Sequence, residues 1–400
     1  MRPFRVAIPQ EALDDLHDRL SRTRWPSELP GVGDARGLPV GQVRELAAYW
    51  RDGFDWRAAE ARINAFPQFV DEIDGARVHF LHVRSPEPDA TPLLMTHGWP
   101  GSIAEFLDVI GPLSDPRAHG GDPGQAFHLV IPTPPGFGFS GPAPEAGWSV
   151  GRIAGAWVTL MERLGYERYA LHGTDLGVWI SLTLAGMRPE RVIGAHVNFL
   201  LTPPSGEPGE IEALNASDRE RVAALGGMEQ GSGYMRIQST RPQTLGYGLT
   251  DSPAGQLAWV AEKFHAWTDA SVPGGSVDRD QLLTNVSLYW FTATGGSSAQ
   301  LYYEMADQLP GSSKPQEVPP PLPVPLAVTV HPYDSALPVR SLAAPRFPEI
   351  VQWSEFDRGG HFPAMEVPEL FVADVRSFIE AARARDIARQ SEVPTLAEAS

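Results

Sequence analysis

The sequence predicts an α/β protein built on a doubly wound, mostly parallel sheet, and two observations support this. From residue 76 onward, short apolar runs alternate with stretches of helical periodicity, which is typical of buried parallel strands joined by helices. In addition, 42% of the 400 residues are hydrophobic and 20% are charged, so the chain can bury a large core and is not a disordered protein.

The elements follow from the local patterns, taken in chain order. Within residues 1–75, helical periodicity predicts helices at about 9–24, 40–51 and 56–64. Asp74-Gly75 then marks a turn, and alternating apolar residues after it predict the first strand, around 78–82. Further strands are predicted at 93–96, 127–131, 169–172, 192–199, 326–330 and 350–356.

A long interruption separates the strand at 192–199 from the strand at 326–330. Proline-rich segments bound it, and helical patterns fill it at about 208–226, 252–267, 279–293 and 297–308. We interpret it as a lid over the carboxyl edge of the sheet. For its closing segment, 319–325, a polyproline ligand for a partner domain is the alternative to a stiff connector. The predicted division is an N-terminal helical meander at 1–75, core at 76–201, helical lid at 202–325, core at 326–385 and a tail at 386–400.

Charge and residue usage exclude several classes of function. Lys and Arg number 32 against 49 Asp and Glu, a net charge of −17, so neither nucleic acid nor an anionic membrane surface is an expected partner. The chain has no cysteine, which excludes disulfides and thiolate chemistry. No apolar run is long enough for a signal peptide or a membrane span. We therefore expect a soluble, cytoplasmic protein without a cofactor or a metal.

The clearest chemical motif is the segment 173–177, Gly-Thr-Asp-Leu-Gly, between a predicted strand and a predicted helix. Small residues on both sides allow a sharp turn that exposes the middle residue, Asp175. A serine at this position would need a base, whereas an aspartate is already ionised at neutral pH and can attack a saturated carbon directly. The alternative is that Asp175 only caps the helix that follows it.

A second motif, His-Gly-Trp-Pro-Gly at 97–101, follows the strand at 93–96. In a hydrolase core this is the place of the oxyanion loop, and the backbone N–H groups of Trp99 and Leu176 would then converge on one oxygen. The alternative is a tight turn around a packed tryptophan. The glycine-rich loop at 134–140 is interpreted as a close-approach loop without a catalytic role.

Two further residues complete a chain order that suits nucleophilic catalysis. His361 stands in a glycine-flanked loop beyond the last predicted strand, and Asp334 directly follows the strand at 326–330. The order Asp175, Asp334, His361 is that of nucleophile, acid and histidine in a hydrolase core. Glu355 and Asp357 are nearer to His361 in sequence. They belong to the same strand and loop as the histidine, which makes them poor candidates to orient its ring.

Together these motifs resemble the microsomal-type epoxide hydrolases of the α/β-hydrolase fold, including their bacterial soluble members. The resemblance spans nearly the whole chain and implies a mostly parallel sheet with a helical lid insertion and an N-terminal helical meander. The matching segments are TRWP at 23–26, FDWR at 54–57, FPQF at 66–69, HGWP at 97–100, GYMRIQSTRP at 233–242 and GGHF at 359–362.

The resemblance also implies roles for individual residues. Asp175 would be the nucleophile and Asp334 the acid that orients His361, which in its neutral form takes a proton from water. Tyr234 and Tyr302 would activate the epoxide oxygen. Relatives often have tryptophan where this chain has Leu176, whose backbone N–H is what an oxyanion site needs, and some have glutamate in place of Asp334.

The choice of the second tyrosine stays open, and one backbone feature follows from the resemblance alone. Tyr303 is the alternative to Tyr302, because neighbouring helical residues point about 100° apart and only one can face the site. The peptide bond between Trp99 and Pro100 is expected to be cis.

The implied reaction converts an epoxide to a vicinal diol through a covalent ester on Asp175, with a small epoxide and water as partners. Haloalkane dehalogenation shares the nucleophile but needs an indole donor after it, which Leu176 does not provide. A catalytically inactive binding protein is the non-enzymatic alternative.

The sequence gives two indications about the substrate. Aromatic residues in the lid suit a bulky or aryl epoxide, and an amino-acid composition typical of GC-rich actinobacterial genomes fits natural-product biosynthesis. Whether the protein forms a homodimer stays open. The aromatic lid residues meant here are Trp259, Phe264, Trp267, Tyr289, Trp290 and Phe291.

Overall fold

One mixed sheet organises the chain. The computed structural model describes residues 1–309 and 320–392, and within them nine strands lie in the order β1-β2-β3-β5-β4-β6-β7-β8-β9. The strands are β1 (Arg2–Phe4), β2 (Gln68–Ile73), β3 (Ala76–Val83), β4 (Thr91–Thr96), β5 (Phe127–Pro132), β6 (Tyr169–Gly173), β7 (Val192–Asn198), β8 (Leu326–Val330) and β9 (Ile350–Glu355).

The strands β4 to β9 pair in parallel, while β1, β2 and β3 add an antiparallel edge through β5. The predicted α/β class with a mostly parallel sheet is therefore confirmed.

Helices precede, connect and follow the strands. The helices are α1 (Gln10–Ser21), α2 (Val40–Asp52), α3 (Trp56–Ile63), α4 (Ile110–Ser114), α5 (Val150–Arg163), α6 (Leu176–Met187), α7 (Ala216–Gly231), α8 (Gly233–Thr240), α9 (Pro242–Asp251), α10 (Pro253–Trp267), α11 (Arg279–Phe291), α12 (Gly295–Ser298), α13 (Gln300–Glu304), α14 (Arg340–Ala343), α15 (Pro363–Glu366) and α16 (Pro368–Glu392).

Successive side chains of a strand point to opposite faces of the sheet, and both faces of the inner parallel strands β4 to β8 are buried. In β4, Leu93 and Met95 join a cluster with α3, α4 and α16. Leu94 between them joins the other cluster, which contains α2, α5, α6 and helices of the insert between β7 and β8. These buried strands are therefore nearly continuous apolar runs in the sequence, which is why the sequence pattern predicted their positions.

The first 75 residues contain two strands that the helical prediction missed. Helices α1, α2 and α3 lie close to their predicted positions, but β1 and β2 extend the sheet. The Asp74-Gly75 turn joins β2 to β3 as a hairpin, and both of its residues have positive φ, 52° and 76°. Two positive φ values in succession match the right-handed twist of a hairpin. The turn was recognised in the sequence, but the strand before it was not.

The described part of the segment between β7 and β8 is largely helical, as the sequence predicted, and we call residues 202–325 the insert. Helices α10 and α11 match the patterns at 252–267 and 279–293, whereas the pattern at 208–226 becomes a helix only from residue 216. Helices α8 and α9 were not predicted. At the other end of the chain, α16 continues to Glu392 where a tail was expected from 386. Residue 319 of the proline-rich segment and residues 393–400 of the tail lie outside the described residues.

The turn from β6 into α6 is packed against the end of β4. A Cβ atom on Gly177 would lie 2.0 Å from the backbone oxygen of Thr96, and one on Gly173 would lie 2.3 Å from the backbone oxygen of Gly177. Such distances are far inside van der Waals contact. Glycine at both positions is therefore required for the turn to approach β4.

Gly177→Ala should destabilise the protein, because backbone atoms cannot move aside for the added methyl group. We expect a loss of about 2 kcal/mol or more in the free energy of unfolding, the range of an overpacked core, measured by chemical denaturation. Gly151→Ala is the matched control: Gly151 is also the second residue of its helix, and its nearest neighbour, the Ser149 hydroxyl, would lie 3.9 Å from the new Cβ. That variant should keep or gain stability. Equal stability of the two variants would contradict the packing described for this turn.

Candidate active site

Asp175 lies at the sharp turn between β6 and α6, in a conformation that side chains rarely adopt. Its φ is 51° and its ψ is −123°, and such backbone strain is most often found at functional sites. The side chain makes no capping hydrogen bond to α6. Instead Oδ1 accepts a hydrogen bond of 2.8 Å from the backbone N–H of Trp99. Helix capping therefore does not explain this aspartate.

The loop after β4 closes over the same carboxylate. A Cβ atom on Gly98 would lie 2.2 Å from Oδ1 of Asp175 and 2.6 Å from the backbone nitrogen of Leu176, so only glycine lets the loop come this close. The bond between Trp99 and Pro100 is cis, as predicted. The N–H of Trp99 and the start of α6 at Leu176 thus flank the Asp175 carboxylate from two different loops.

His361 lies between two carboxylates. Its Nδ1 is 2.7 Å from Oδ1 of Asp334, and its Nε2 is 3.5 Å from Oδ2 of Asp175. All three side chains are at least nine-tenths buried. They come together because Asp175 follows β6, Asp334 follows β8 and His361 follows β9, and the carboxyl ends of parallel strands meet at one edge of the sheet.

The backbone on both sides of His361 is anchored. Its N–H donates to the backbone oxygen of Trp267 in the insert at 2.7 Å, and its own carbonyl accepts from the side chain of Asn198 at 3.1 Å. The imidazole ring packs against Phe199 and Trp267, with ring centres 5.0 and 4.9 Å away. The ring is therefore held in place by both the sheet and the insert.

The charge state of His361 in the free site depends on its two carboxylate neighbours. Burial lowers the pKa of His361, but the Asp334 carboxylate and the hydrogen-bonding influence of Asp175 and Asp334 outweigh it and raise the pKa to about 10. His361 is therefore protonated at neutral pH in the free site. The sequence contains no sign of this, because the shift depends on the two distances.

Glu355 and Asp357, the alternative acids weighed from the sequence, lie away from the His361 ring. Glu355 pairs with Arg221 at 2.7 Å and accepts from the indole of Trp353 at 3.0 Å, and its side chain is 47% exposed. Asp357 is also exposed. Neither carboxylate reaches the His361 ring, which agrees with the choice of Asp334.

Tyr234 on α8 and Tyr302 on α13 face each other across from Trp99. The Tyr234 ring stacks on the Trp99 indole at 5.1 Å with 13° between the planes, and Tyr302 meets the same indole edge-on at 5.8 Å. The two tyrosine rings are 5.9 Å apart. Tyr302 is 2% exposed whereas Tyr303 is 55% exposed. Of the two neighbouring tyrosines, Tyr302 is the one that points inward.

Both inward tyrosines stay neutral phenols over the physiological pH range. Burial raises the pKa of Tyr234 far above its usual value, and the negative charge of Asp175 adds to this effect. Burial likewise raises the pKa of Tyr302, with Tyr234 and Asp175 contributing. A neutral phenol is a hydrogen-bond donor, so the site holds two donors on the side of the insert.

Two buried ionisable groups near these residues were not singled out from the sequence. Glu105 is 3% exposed. Burial raises the pKa of Glu105 to about 8, with His361 opposing and Asp175 adding to the shift. A Cβ atom on Gly101 would lie 1.5 Å from Oε1 of Glu105, so the glycine makes room for this carboxyl group. Lys263 on α10 is 4% exposed. A charged residue within an apolar run was the available signal for Glu105.

The aromatic residues of the insert divide into two groups. Trp267 touches both His361 and Tyr234, and the Tyr289 hydroxyl donates to the backbone oxygen of Gly101 at 2.6 Å. The others make contacts away from the Asp175 carboxylate: Trp259 donates to Gln238, Phe264 stacks on Phe362, Phe291 packs on Trp56, and Trp290 is partly buried beneath Arg19.

Over residues 1–309 and 320–392, no group of three or more His, Asp or Glu side chains converges so that it could hold a metal ion. In the same part of the chain, no helix has the length and apolar character needed to cross a bilayer.

Comparison with known proteins places this arrangement in a family. Residues 1–106 match the family model described as epoxide hydrolase N terminus, and residues 91–198 match the model of the alpha/beta hydrolase fold. A putative epoxide hydrolase of Stigmatella aurantiaca is 42% identical over 96% of this chain and 86% of the relative. Epoxide hydrolase 1 of Sus scrofa is 34% identical over 95% of this chain and 88% of its own length.

Solved structures show the same similarity over the whole fold. The juvenile hormone epoxide hydrolase of the silkworm Bombyx mori matches with a TM-score of 0.85 at 30% identity, over 96% of this chain and 95% of that one. The epoxide hydrolase of Aspergillus niger matches with a TM-score of 0.83 at 31% identity, over 95% and 96%. This chain is therefore an α/β-hydrolase-fold enzyme that belongs to the epoxide hydrolase family, as its motifs predicted.

Proposed function

We propose that the enzyme opens an epoxide with Asp175 and then hydrolyses the resulting ester with a water activated by His361. The observation that carries this proposal is the position of His361, whose two ring nitrogens face Asp334 at 2.7 Å and Asp175 at 3.5 Å. In such an arrangement one carboxylate orients the histidine and the other is the group on which the histidine acts.

In the first step an Asp175 oxygen forms a bond to one epoxide carbon while the bond from that carbon to the ring oxygen breaks. The electron pair goes to the ring oxygen, which would become an alkoxide. Tyr234 and Tyr302 donate hydrogen bonds to this oxygen and one of them transfers its proton. Both tyrosines are buried against the Trp99 indole, and the negative charge of Asp175 raises the pKa of each, which supports this role.

The first step also prepares His361 for the second. Esterification removes the negative charge of Asp175, which is one of the causes of the high pKa of His361. The pKa of His361 therefore falls, and the proton that His361 releases restores the phenol that gave its proton to the alkoxide. The neutral histidine then takes a proton from water as the hydroxide attacks the ester carbonyl, the diol leaves, and Asp175 and His361 regain their charges. The rate of ester hydrolysis should accordingly rise with pH through a pKa below about 10.

The insert forms the distal wall of this site, and we propose that it acts as the lid within the domain division predicted from the sequence. The aromatic residues Trp267 and Tyr289 beside the loop 97–101 and His361 favour a bulky or aryl epoxide. A panel of aryl and alkyl epoxides, with chiral analysis of the diols, tests this substrate class. A role in natural-product biosynthesis, a cytoplasmic location and a homodimer stay predictions.

Substitution of His361 should separate the two half-reactions. His361→Gln leaves Asp175 and the two tyrosines in place, so ring opening continues, while water is no longer activated. We expect the ester to accumulate on Asp175, detected by mass spectrometry of the intact protein and of the peptide that contains Asp175. Diol formation should fall at least about a thousandfold, within the range known for loss of a general base.

Asp334→Asn provides a graded comparison. It should slow ester hydrolysis less than His361→Gln does, because the histidine remains and loses only its orientation and one stabilising charge. Glu355→Gln is the control, since Glu355 pairs with Arg221 and should leave the ester short-lived. If no ester formed in His361→Gln, or if Glu355→Gln trapped ester and Asp334→Asn did not, the assignment would be wrong.

The tyrosine pair yields a prediction about the first half-reaction alone. Tyr234→Phe and Tyr302→Phe should each slow ester formation, because a hydrogen bond to the developing alkoxide is lost, and the double change should nearly abolish it. Ester hydrolysis should stay close to the wild-type rate. Rapid-quench single-turnover measurements separate the two steps. Tyr303→Phe is the matched control, since Tyr303 is exposed. If Tyr303→Phe slowed ester formation strongly and Tyr302→Phe did not, the second donor would be Tyr303.

A further inference from the structure

Lys263 is an unusual residue in this chain by type and by burial. It is one of two lysines in the sequence, the other being Lys314, among 32 basic residues that are otherwise arginines. It lies on α10 within the insert and is 4% exposed, although lysine is rarely buried unless it has a partner. Its ammonium group pairs with the neighbouring carboxylate of Glu262 at 2.5 Å. A compact cation is therefore held inside the insert rather than at its surface.

The ammonium group lies over the ring of Tyr234. Nζ is 4.3 Å from the centre of that ring and 5.6 Å from the Trp267 ring. The Trp99 indole is stacked on Tyr234 nearly in parallel, at 5.1 Å and 13°. Because Trp99 occupies one face of the tyrosine, the ammonium group is on the other. Tyr234 is thus clamped between an indole and a cation.

This placement matters for the proton that Tyr234 gives up in the proposed reaction. Burial and the negative charge of Asp175 both disfavour the phenolate form of Tyr234, and Glu262 acts in the same direction. A cation within about 6 Å of an aromatic ring is attracted to it, and the attraction grows when water is excluded and when the ring gains negative charge. Lys263 carries the opposite charge to Asp175 and Glu262 and lies directly against the Tyr234 ring, so its charge favours proton transfer.

We propose that Lys263 is a positioning residue that acts through Tyr234: its ammonium group over the ring stabilises the negative charge that develops on the phenol as its proton moves to the epoxide oxygen. The inference deepens the proposed function and rests on it. Lys263 does not touch the substrate and takes no part in hydrolysis of the ester. Its effect is therefore confined to the ring-opening step.

The test compares two variants that break the same ion pair with opposite electrostatic consequences. Both are made in the His361→Gln background, in which the ester accumulates, and its rate of formation is measured by rapid quench and mass spectrometry. Lys263→Met keeps the length of the side chain but removes the cation, and ester formation should become about tenfold slower. Glu262→Gln removes the opposing charge, and ester formation should be as fast as in the background or faster.

The outcomes separate this inference from its alternatives. If both variants slow ester formation equally, the ion pair has only a structural role and the inference is wrong; it is also wrong if neither variant has an effect. In a third arm, Lys263→Met added to Tyr234→Phe should cause no further slowing, because the residue through which it acts is gone. Lys263→Gln replaces Lys263→Met if that variant does not fold. Absence of ester in the His361→Gln background alone would instead refute the proposed function.

Discussion

The placement of one histidine between two buried carboxylates is the constraint on which the site depends. Asp334 and Asp175 together hold a positive charge on His361 in a region that excludes water. A single buried charge of either sign would be costly, whereas here the positive charge of the histidine offsets negative charge on the two carboxylates. Covalent attachment of substrate to Asp175 changes that balance, and through it the basicity of His361. The chemistry of the first step thus sets the conditions for the second.

This constraint in turn determines features of the backbone. Asp175 reaches the histidine because the turn after β6 holds it at positive φ, and that turn fits only because Gly173 and Gly177 allow it to press against the end of β4. Gly98 lets the loop after β4 bring the Trp99 N–H to the same carboxylate. The insert closes the arrangement from the other side, with Trp267 accepting a hydrogen bond from the His361 backbone.

Much of this could be predicted from the sequence, and the remainder depends on packing. The order of Asp175, Asp334 and His361 along the chain sufficed because residues that follow parallel strands meet at one sheet edge. The short strands β1 and β2 were missed because their alternation is weak and they depend on pairing, β1 with β2 and β2 with β3. Helical spacing separates Tyr302 from Tyr303 but cannot say which one is inward. The burial of Lys263 and the charge of His361 depend on distances that no local pattern contains.

The most direct test of the covalent account is a single turnover in oxygen-18 water, with enzyme in excess over epoxide. The ester is cleaved at its carbonyl, so the oxygen taken from water should remain in the Asp175 carboxylate. We predict that mass spectrometry finds the label in the peptide that contains Asp175 and that the first diol carries none. Label in the first diol, with an unlabelled Asp175 peptide, would mean that water attacks the epoxide directly and would contradict the account.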